Sequence, residues 1–271
     1  MKYRLLFAVL SSLLLFAGCE TVQTTGGGAV GVERSQRMMV SSAQINAAAE
    51  QSYAQTMQEA RGKGVLNRVP AQVDRVRAVA SRLIPATASF RSDAPGWRWE
   101  VNVISSQEVN AWCMPGGKIA VYTGLMDGLQ LTDAELAAVM GHEIAHALRE
   151  HGREKASQQA AQNAVIGIGA AVLGVGQGGA DLANIAAQVT YGLPNSREFE
   201  READRIGVEL AARAGFDPRA AITLWQKMAQ ATGARGGPAF LSTHPTSADR
   251  IQDLQQYAAQ VMPLYQATQR R

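Results

Sequence analysis

The chain has 271 residues, of which 46% are hydrophobic and 18% are charged. This composition is ordinary for a globular protein, and the length suffices for one large domain or two small ones. The formal net charge of +3 falls to about +1 if the N-terminal segment that carries Lys2 and Arg4 is removed. Such a small charge gives no support to a nucleic acid as a partner.

The first 18 residues have the pattern of a bacterial lipoprotein signal peptide. A short basic start precedes an apolar run over residues 5–17, and Ala17-Gly18-Cys19 follows with small side chains. The run is shorter than the roughly 20 residues that a helix needs to span a bilayer. We therefore predict cleavage before Cys19 and acylation of this cysteine. The alternatives are an ordinary signal peptide that is cut elsewhere, and a retained anchor.

A lipid on Cys19 would attach the protein to a membrane of the bacterial cell envelope, facing the periplasm. Glu20 follows the cysteine, and by resemblance to enterobacterial sorting this residue favours the outer membrane. Residues 19–40, which are rich in Thr and Gly, are predicted to be a flexible tether. The other cysteine, Cys113, then has no partner, so no disulfide is expected and Cys113 is predicted to be a half-buried side chain.

Helical patterns dominate the rest of the chain. Thr132 and Glu135 have the spacing of a capping box, which predicts a helix from Thr132 to about His151. Residues 97–103 alternate in polarity, and the turn Pro115-Gly116-Gly117 precedes a second candidate strand. The other predicted elements are helices over residues 41–61, 71–83, 195–214, 218–231 and 247–260, a strand over 118–123, and a buried helical hairpin or mobile flap over 160–193.

These patterns predict an α+β fold that is predominantly α-helical. Residues 41–262 are expected to form one folded domain, and residues 263–271 a C-terminal tail. In this domain the strand at 118–123 is expected to form the edge of a small β-sheet and to face the helix that begins at Thr132.

That helix carries the sequence His142-Glu143-Ile144-Ala145-His146, an H-E-x-x-H match. The two histidines lie one turn apart on the same face, so both imidazoles can bind one Zn²⁺. Glu143 is adjacent and can take a proton from a water that the metal activates. The pattern thus predicts a zinc-dependent peptidase.

A catalytic zinc site needs a third protein ligand. On a continuous helix His151 lies about 140° from His146, so it is predicted to be a charge partner at the helix end. The remaining candidates for the third ligand are a carboxylate from another element and His244. Glu200 and Asp204 share one helix face beside a buried apolar stripe, whereas Glu198 and Glu202 fit a solvated face.

Together, His142-Glu143-x-x-His146 and Ser196-Arg197-x-x-Glu200-x-x-Ala203-Asp204 resemble metallopeptidase family M48, the HtpX/BepA/LoiP-like gluzincins of the zincin type. Further matching segments are Asn110-Ala111, Pro115-Gly116-Gly117-Lys118-Ile119, Thr123-Gly124-Leu125 and Thr243-His244-Pro245 with Arg250. The chain looks most like the periplasmic lipoprotein members. The resemblance implies one Zn²⁺ on His142, His146 and Glu200. It also implies that Glu143 is the general base, and that Asp204 holds a ligand or donates a proton.

By the same resemblance, the strand after the Pro115-Gly116-Gly117 turn is the substrate-binding edge. An extended peptide would bind there through its main chain. The residues expected to contact substrate are Gly117, Lys118, Ile119, Ala120, Val121 and Arg250.

The role of His244 stays open between two functional interpretations. It stabilises the oxyanion of the reaction, or it occupies the fourth position on zinc and holds the enzyme inactive. A loop histidine that caps a turn before Pro245 is the structural alternative.

The expected activity is hydrolysis of internal peptide bonds in unfolded or mislocalised cell-envelope proteins, as a form of protein quality control. The alternative from another functional class is a zinc-containing envelope chaperone or assembly factor with little proteolysis. Neither the physiological substrate nor the oligomeric state follows from the sequence.

Overall fold

The structure is a computed structural model that describes residues 20–172, 194–231, 239–245, 247 and 249–270. The predicted signal peptide, Cys19 and residues 173–193 of the predicted hairpin or flap lie outside this part of the chain. The strands are β1 (Glu20–Val22), β2 (Gln36–Met38), β3 (Glu100–Ile104), β4 (Ala111–Met114) and β5 (Lys118–Tyr122). The helices are α1 (Ser42–Gly62), α2 (Pro70–Ala86), α3 (Thr123–Gly128), α4 (Asp133–Leu148), α5 (His151–Val172), α6 (Arg197–Arg213), α7 (Ala220–Ala231), α8 (Ala239–Thr243) and α9 (Arg250–Thr268).

The α+β, predominantly helical prediction is confirmed. The main sheet has three strands in the order β3-β5-β4, with β3 parallel and β4 antiparallel to β5. One large hydrophobic core joins α2, α4, α6, α7 and α9 to one face of this sheet. No helix among the described residues has both the length and the apolar character needed to cross a membrane.

The sheet corrects one expectation about its edge. The strand predicted at the edge, Lys118–Tyr122, is the central strand and has neighbours on both sides. The edge strand that packs against α4 is β4. The positive φ angles of Gly116 and Gly117 turn the chain tightly from β4 into β5. All four residues of β4 are buried, so the strand has no polar alternation by which the sequence could reveal it.

Helix α4 begins as predicted and ends earlier. Thr132 caps the helix, and Glu135 reaches back to it, so the predicted capping box is confirmed. The helix ends at Leu148, and Glu150 has a φ of 50°. A new helix starts at His151 after this break, so a position extrapolated along a continuous α4 does not apply to His151.

The N-terminal segment differs most from its prediction. Residues 20–40, expected to be a flexible tether, pair as β1 and β2 and pack against the domain. Val30, Val32 and Met38 are buried, and the Val30 backbone amide donates to the fully buried Glu209 carboxylate at 3.0 Å. The segment is polar in composition, but its few apolar residues reach the domain, and this burial orders it.

The predicted C-terminal tail is also partly helical. Helix α9 continues through Pro263 to Thr268, so residues 263–268 extend the helix that precedes them. Leu254, Ala258 and Val261 of this helix are buried, and α9 packs against α6. The tail prediction is wrong for these residues because Leu264 and Tyr265 also pack against the core, so the apolar face of the helix continues past residue 262.

The contact between α4 and α6 places the two halves of the candidate site side by side. At their crossing Gly141 lies against Gly207, and a Cβ atom on Gly207 would lie 2.7 Å from the backbone nitrogen of His142. Neither backbone can yield without moving its helix. The two glycines therefore allow an approach that any larger residue would prevent.

We predict that Gly207→Ala destabilises the fold by about 1–3 kcal/mol, because the added methyl group overlaps backbone atoms of α4. Gly62→Ala is the matched control: a Cβ on Gly62, also in a helix, meets no atom within 4 Å. This control should be neutral, or stabilising by up to about 1 kcal/mol from helix propensity. Urea unfolding followed by circular dichroism measures both, and equal effects would contradict the close-crossing account.

Candidate metal centre

Four potential metal ligands converge in the interior of the domain. His142 and His146 lie on α4, Glu200 lies on α6, and His244 follows α8 directly. One ligand atom from each residue lies within 4.8 Å of those of the other three, and all four residues are buried. The structure thus brings together the two histidines of the H-E-x-x-H motif and both candidates for a further ligand.

The two motif histidines face each other through their Nε2 atoms, which are 3.1 Å apart. Nδ1 of His142 lies 3.0 Å from Oδ1 of Asp204. Because a carboxylate only accepts hydrogen bonds, this Nδ1 carries the proton, and Nε2 of His142 directs a lone pair toward the cluster. Asp204 therefore contacts His142 on the side away from the other ligands.

His146 is held from its outer side by a chain of two residues. Its Nδ1 is 2.8 Å from Nδ1 of His151, and Nε2 of His151 is 2.9 Å from Oε2 of Glu202. The sequence reasoning missed both residues. His151 reaches His146 because the helix breaks at Glu150, and Glu202 is 6% exposed, not solvated.

Glu200 projects from the first turn of α6 into the cluster. Its carboxylate oxygens lie 3.4 Å from Nε2 of His142 and 3.3 Å from Nε2 of His146. It also accepts hydrogen bonds from Asn195 at 3.0 Å and from Arg250 at 3.1 Å. Helical phase therefore predicted correctly that Glu200 faces the interior and that Glu198 faces solvent, since the side chain of Glu198 is 58% exposed.

Buried charges shift the pKa values of these ligands in opposite directions. Burial lowers the pKa of His142, but Glu200 and Asp204 outweigh this effect and raise it to about 9. Burial holds the pKa of His146 well below its ordinary value, and the neighbouring His142 contributes to this shift. Burial opposes ionisation of Glu200, yet its interactions with His244 and His142 hold its pKa well below the usual range. The pair of imidazoles can thus share one positive charge, but not two.

Glu143 lies beside the cluster without belonging to it. Its Oε1 atom is buried, has no hydrogen-bond partner among the described residues, and lies 3.4 Å from Nε2 of His244. Burial raises the pKa of the Glu143 carboxyl, while His244, His142 and the backbone amide of Cys113 act against this shift. A buried carboxylate with a free oxygen and a raised pKa is suited to accept a proton.

His244 contacts both the ligands and the carboxylate beside them. Its Nδ1 is 3.2 Å from Nε2 of His142 and 3.0 Å from Oε1 of Glu200. Its ring stacks on Phe240 with centroids 4.2 Å apart. The capped-turn alternative does not describe this residue, because its ring points into the cluster.

Arg250 lies behind the ligands, which corrects its predicted contact with substrate. It is 4% exposed, and its guanidinium group donates to Glu200 and to Asp204, at 2.7 Å in the second case. The guanidinium carbon lies 3.3 Å from the ring centroid of Trp225. Arg250 is thus enclosed by protein and can position two carboxylates, but it cannot reach a peptide in the cleft.

The cleft beside the cluster is bordered by the outer edge of β4. Tyr122 donates to the carbonyl of Asn110, and the alternation of an antiparallel pair then directs the backbone groups of Ala111 and Cys113 away from β5. In the described part of the chain no strand lies on that side of β4. The cleft is lined by Cys113, Pro115, Glu143, His146, Ala147, Glu150, His151, Gly152, Asn195 and His244.

The predicted substrate contacts on β5 are therefore wrong. Both edges of this strand are occupied by β3 and β4, and Lys118, Ile119, Ala120 and Val121 are at most 4% exposed. Lys118 donates to Glu100 and to a backbone carbonyl. Gly117 belongs to the turn that precedes the strand. Cys113, predicted half-buried, is buried, and burial raises the pKa of its thiol well above the usual range.

The donor set fits zinc. Two imidazole nitrogens and a carboxylate are ligands that Zn²⁺ prefers, and the outer nitrogen of each imidazole is held by a hydrogen-bond partner. Two Nε2 lone pairs and a carboxylate that face one another repel unless a cation or a proton lies between them. His142, His146 and Glu200 can therefore supply three ligands, with His244 beside the fourth position.

Several known proteases have sequences similar to that of this chain. The chain is 38% identical over 161 residues to the mitochondrial metalloendopeptidase OMA1 of Schizosaccharomyces pombe, which is 59% of this chain and 47% of that protein. It is 28% identical over 256 residues to the metalloprotease LoiP of Escherichia coli, covering 94% and 96% of the two chains. It is also 28% identical over 216 residues to the beta-barrel assembly-enhancing protease of Escherichia coli, covering 77% of this chain and 43% of that protein.

The chain thus spans about half or less of the OMA1 proteins of fission yeast and Arabidopsis thaliana that it matches. The family assignment rests on a match to a family profile over more than half of this chain. Residues 70–258 match the profile of Peptidase family M48, and this range includes every ligand of the candidate metal centre. The chain belongs to peptidase family M48.

Proposed function

We propose that this protein is a zinc metalloendopeptidase that hydrolyses internal peptide bonds. The observation that carries the proposal is the position of Glu143, a buried carboxylate with a free oxygen. It lies between a three-ligand zinc site and the outer edge of β4, beside which no strand lies in the described part of the chain. Its relatives named metalloendopeptidase OMA1 and metalloprotease LoiP support the same activity.

The protein's own residues supply the proton transfers. When bound, zinc is a Lewis acid that polarises the scissile carbonyl and lowers the pKa of water to about 7. Glu143 takes the proton of the attacking water and passes it to the leaving amine. Asp204 and His151 hold the two imidazoles in orientation from outside the cluster.

Substrate recognition through the main chain fits the cleft. An extended peptide can add to the outer edge of β4 by donating to the backbone carbonyls of Ala111 and Cys113, which brings its main chain past Glu143. The backbone amide of Ala111 already donates to the side chain of Asn110 at 2.9 Å. Such binding depends little on side chains and is suited to unfolded polypeptides. We therefore propose unfolded or misassembled cell-envelope proteins as substrates, in a role of protein quality control.

The location of the protein is part of the same proposal. A lipid on Cys19 would attach the chain to the bacterial envelope on the periplasmic side, with the outer membrane favoured by Glu20. The similarity to LoiP and to the beta-barrel assembly-enhancing protease supports an envelope location. Because residues 20–40 pack on the domain, such an anchor would hold the domain close to the membrane.

We predict that Glu143→Gln abolishes cleavage and leaves zinc bound. Loss of the proton acceptor should lower the rate of casein hydrolysis by about 10²–10⁴-fold. Zinc content measured by atomic absorption should stay at the wild-type level, because Glu143 is not among the ligands. Unchanged hydrolysis would contradict the mechanism. A wild-type protein that cleaves nothing, together with rescue of a deletion by Glu143→Gln, would favour the chaperone alternative.

The ligand assignment predicts different effects for two glutamates of α6. Glu200→Gln should lower zinc content strongly, because it replaces a ligand carboxylate by a neutral amide. Glu198→Gln lies on the exposed face of the same helix and should leave zinc content unchanged. Equal zinc content in the two variants would show that Glu200 is not a ligand.

The two roles proposed for His244 predict opposite effects of His244→Ala. If the ring holds the fourth position on zinc, the variant should cleave a peptide faster than the wild type, because that position opens. If the ring stabilises the oxyanion, kcat should fall by about 10²–10³-fold. The short distances from His244 to His142 and to Glu200 favour the first role. Steady-state kinetics on one quenched-fluorescence peptide distinguishes the two, and a fall in kcat would contradict the first.

A further inference from the structure

We propose that His151, Glu202 and Arg34 form a positioning chain that fixes the orientation of the zinc ligand His146, and that the N-terminal segment is thereby part of the metal centre. The chain runs from Arg34 through Glu202 and His151 to Nδ1 of His146. The inference rests on the proposed zinc site.

The order of the hydrogen bonds follows from the carboxylate at the end of the chain. Glu202 can only accept, so Nε2 of His151 carries a proton and donates it at 2.9 Å. Nδ1 of a neutral His151 is then an acceptor, and Nδ1 of His146, 2.8 Å away, must donate to it. His146 therefore presents the lone pair of Nε2 to the cluster. Asp204 does the same for His142 in a single step.

Glu202 is fixed from two further directions. Arg149, which is 0% exposed, donates to it at 3.0 Å. Arg34 donates to it at 2.7 Å and also binds Glu154 through two hydrogen bonds. Arg34, Arg149 and His151 thus hold the Glu202 carboxylate by hydrogen bonds from three sides.

The plane of the His151 ring is fixed as well. The ring stacks on Phe199 with centroids 4.4 Å apart and an interplanar angle of 6°. The guanidinium carbon of Arg34 lies 5.5 Å from the centroid of the same phenyl ring. His151 can thus neither tilt nor turn away from His146 without losing this stacking.

Other groups of the N-terminal segment also take part in this arrangement. The backbone carbonyl of Arg34 accepts a hydrogen bond from Arg149 at 2.9 Å. The side chain of Gln36, which is fully buried, donates to the carbonyl of Arg149 and to Glu154. Arg34 lies before residue 41, where the sequence predicts that the folded domain starts. Two hydrogen bonds nevertheless link Arg34 through Glu202 to His151, which contacts the zinc ligand His146.

The test measures the zinc affinity of the full chain by competition with a chromophoric chelator, with Zn²⁺ alone as the probe. His151→Leu keeps an apolar side chain against Phe199 and removes both ring nitrogens. We expect it to weaken zinc binding by about 10–100-fold, as is usual when the partner of a ligand histidine is lost. Glu202→Gln should act in the same direction, and Arg34→Met by a smaller factor.

The matched control is Glu198→Gln. Glu198 lies on the same helix and contacts the same arginine at 3.6 Å, but its side chain is exposed and it does not reach His151. It should leave the affinity within about twofold of the wild type. Of the two single variants, one will have the lower zinc affinity. The double variant His151→Leu/Glu202→Gln should bind zinc with that same affinity and no more weakly, because the two residues act in series.

A purely structural role gives a different result. It would lower the unfolding temperature of the metal-free protein and leave the affinity of the folded protein unchanged. Circular dichroism at the temperature of the titration verifies folding, and if Glu202→Gln does not fold, His151→Leu decides. A folded His151→Leu variant with wild-type zinc affinity would overturn the proposal. A wild type that binds zinc but cleaves no peptide would refute the peptidase proposal and leave this one standing.

Discussion

The backbone contact between α4 and α6 at Gly141 and Gly207 is the constraint on which the site depends. The H-E-x-x-H helix alone can offer two imidazoles, and a third ligand must come from another element. Two helices with larger residues at their crossing would lie 8–10 Å apart between axes, a separation that side chains set. With glycine on both sides, Glu200 and Asp204 of α6 reach the imidazoles of α4 directly.

Burial of so many charges in one place is tolerated because each of them has a partner. Glu200 and Asp204 share Arg250, and Glu202 lies between Arg34, Arg149 and His151. An unpaired ion at any of these positions would be strongly destabilising. Glu143 keeps one buried oxygen without a hydrogen-bond partner among the described residues. An unsatisfied group at the centre of a cleft is what proton transfer to a substrate requires.

The parts of the site that are local in sequence could be predicted, and the parts that depend on distant segments could not. The capping box places the H-E-x-x-H motif on a helix, and helical phase then selects Glu200 over Glu198 and Glu202. Both arguments use only residues that are a few positions apart in the sequence. The contact of His151 with His146 was not predicted, because the 3.6-residue helical period was applied across the break at Glu150.

The burial of Glu202 was not predicted for a different reason. Arg34, which holds it in the interior, lies 168 residues away in the chain, and no local pattern links the two. The sequence also did not predict that β4 is the edge strand. A fully buried strand such as β4 has no alternation, and sheet order is set by pairing between segments, not within them.

A crystal structure of the zinc-bound protein, with anomalous scattering measured at the zinc edge, would identify the ligands. We expect one anomalous peak about 2.0–2.2 Å from Nε2 of His142, Nε2 of His146 and a carboxylate oxygen of Glu200. A peak that is coordinated without Glu200, or one that lies away from the two histidines of α4, would contradict this assignment.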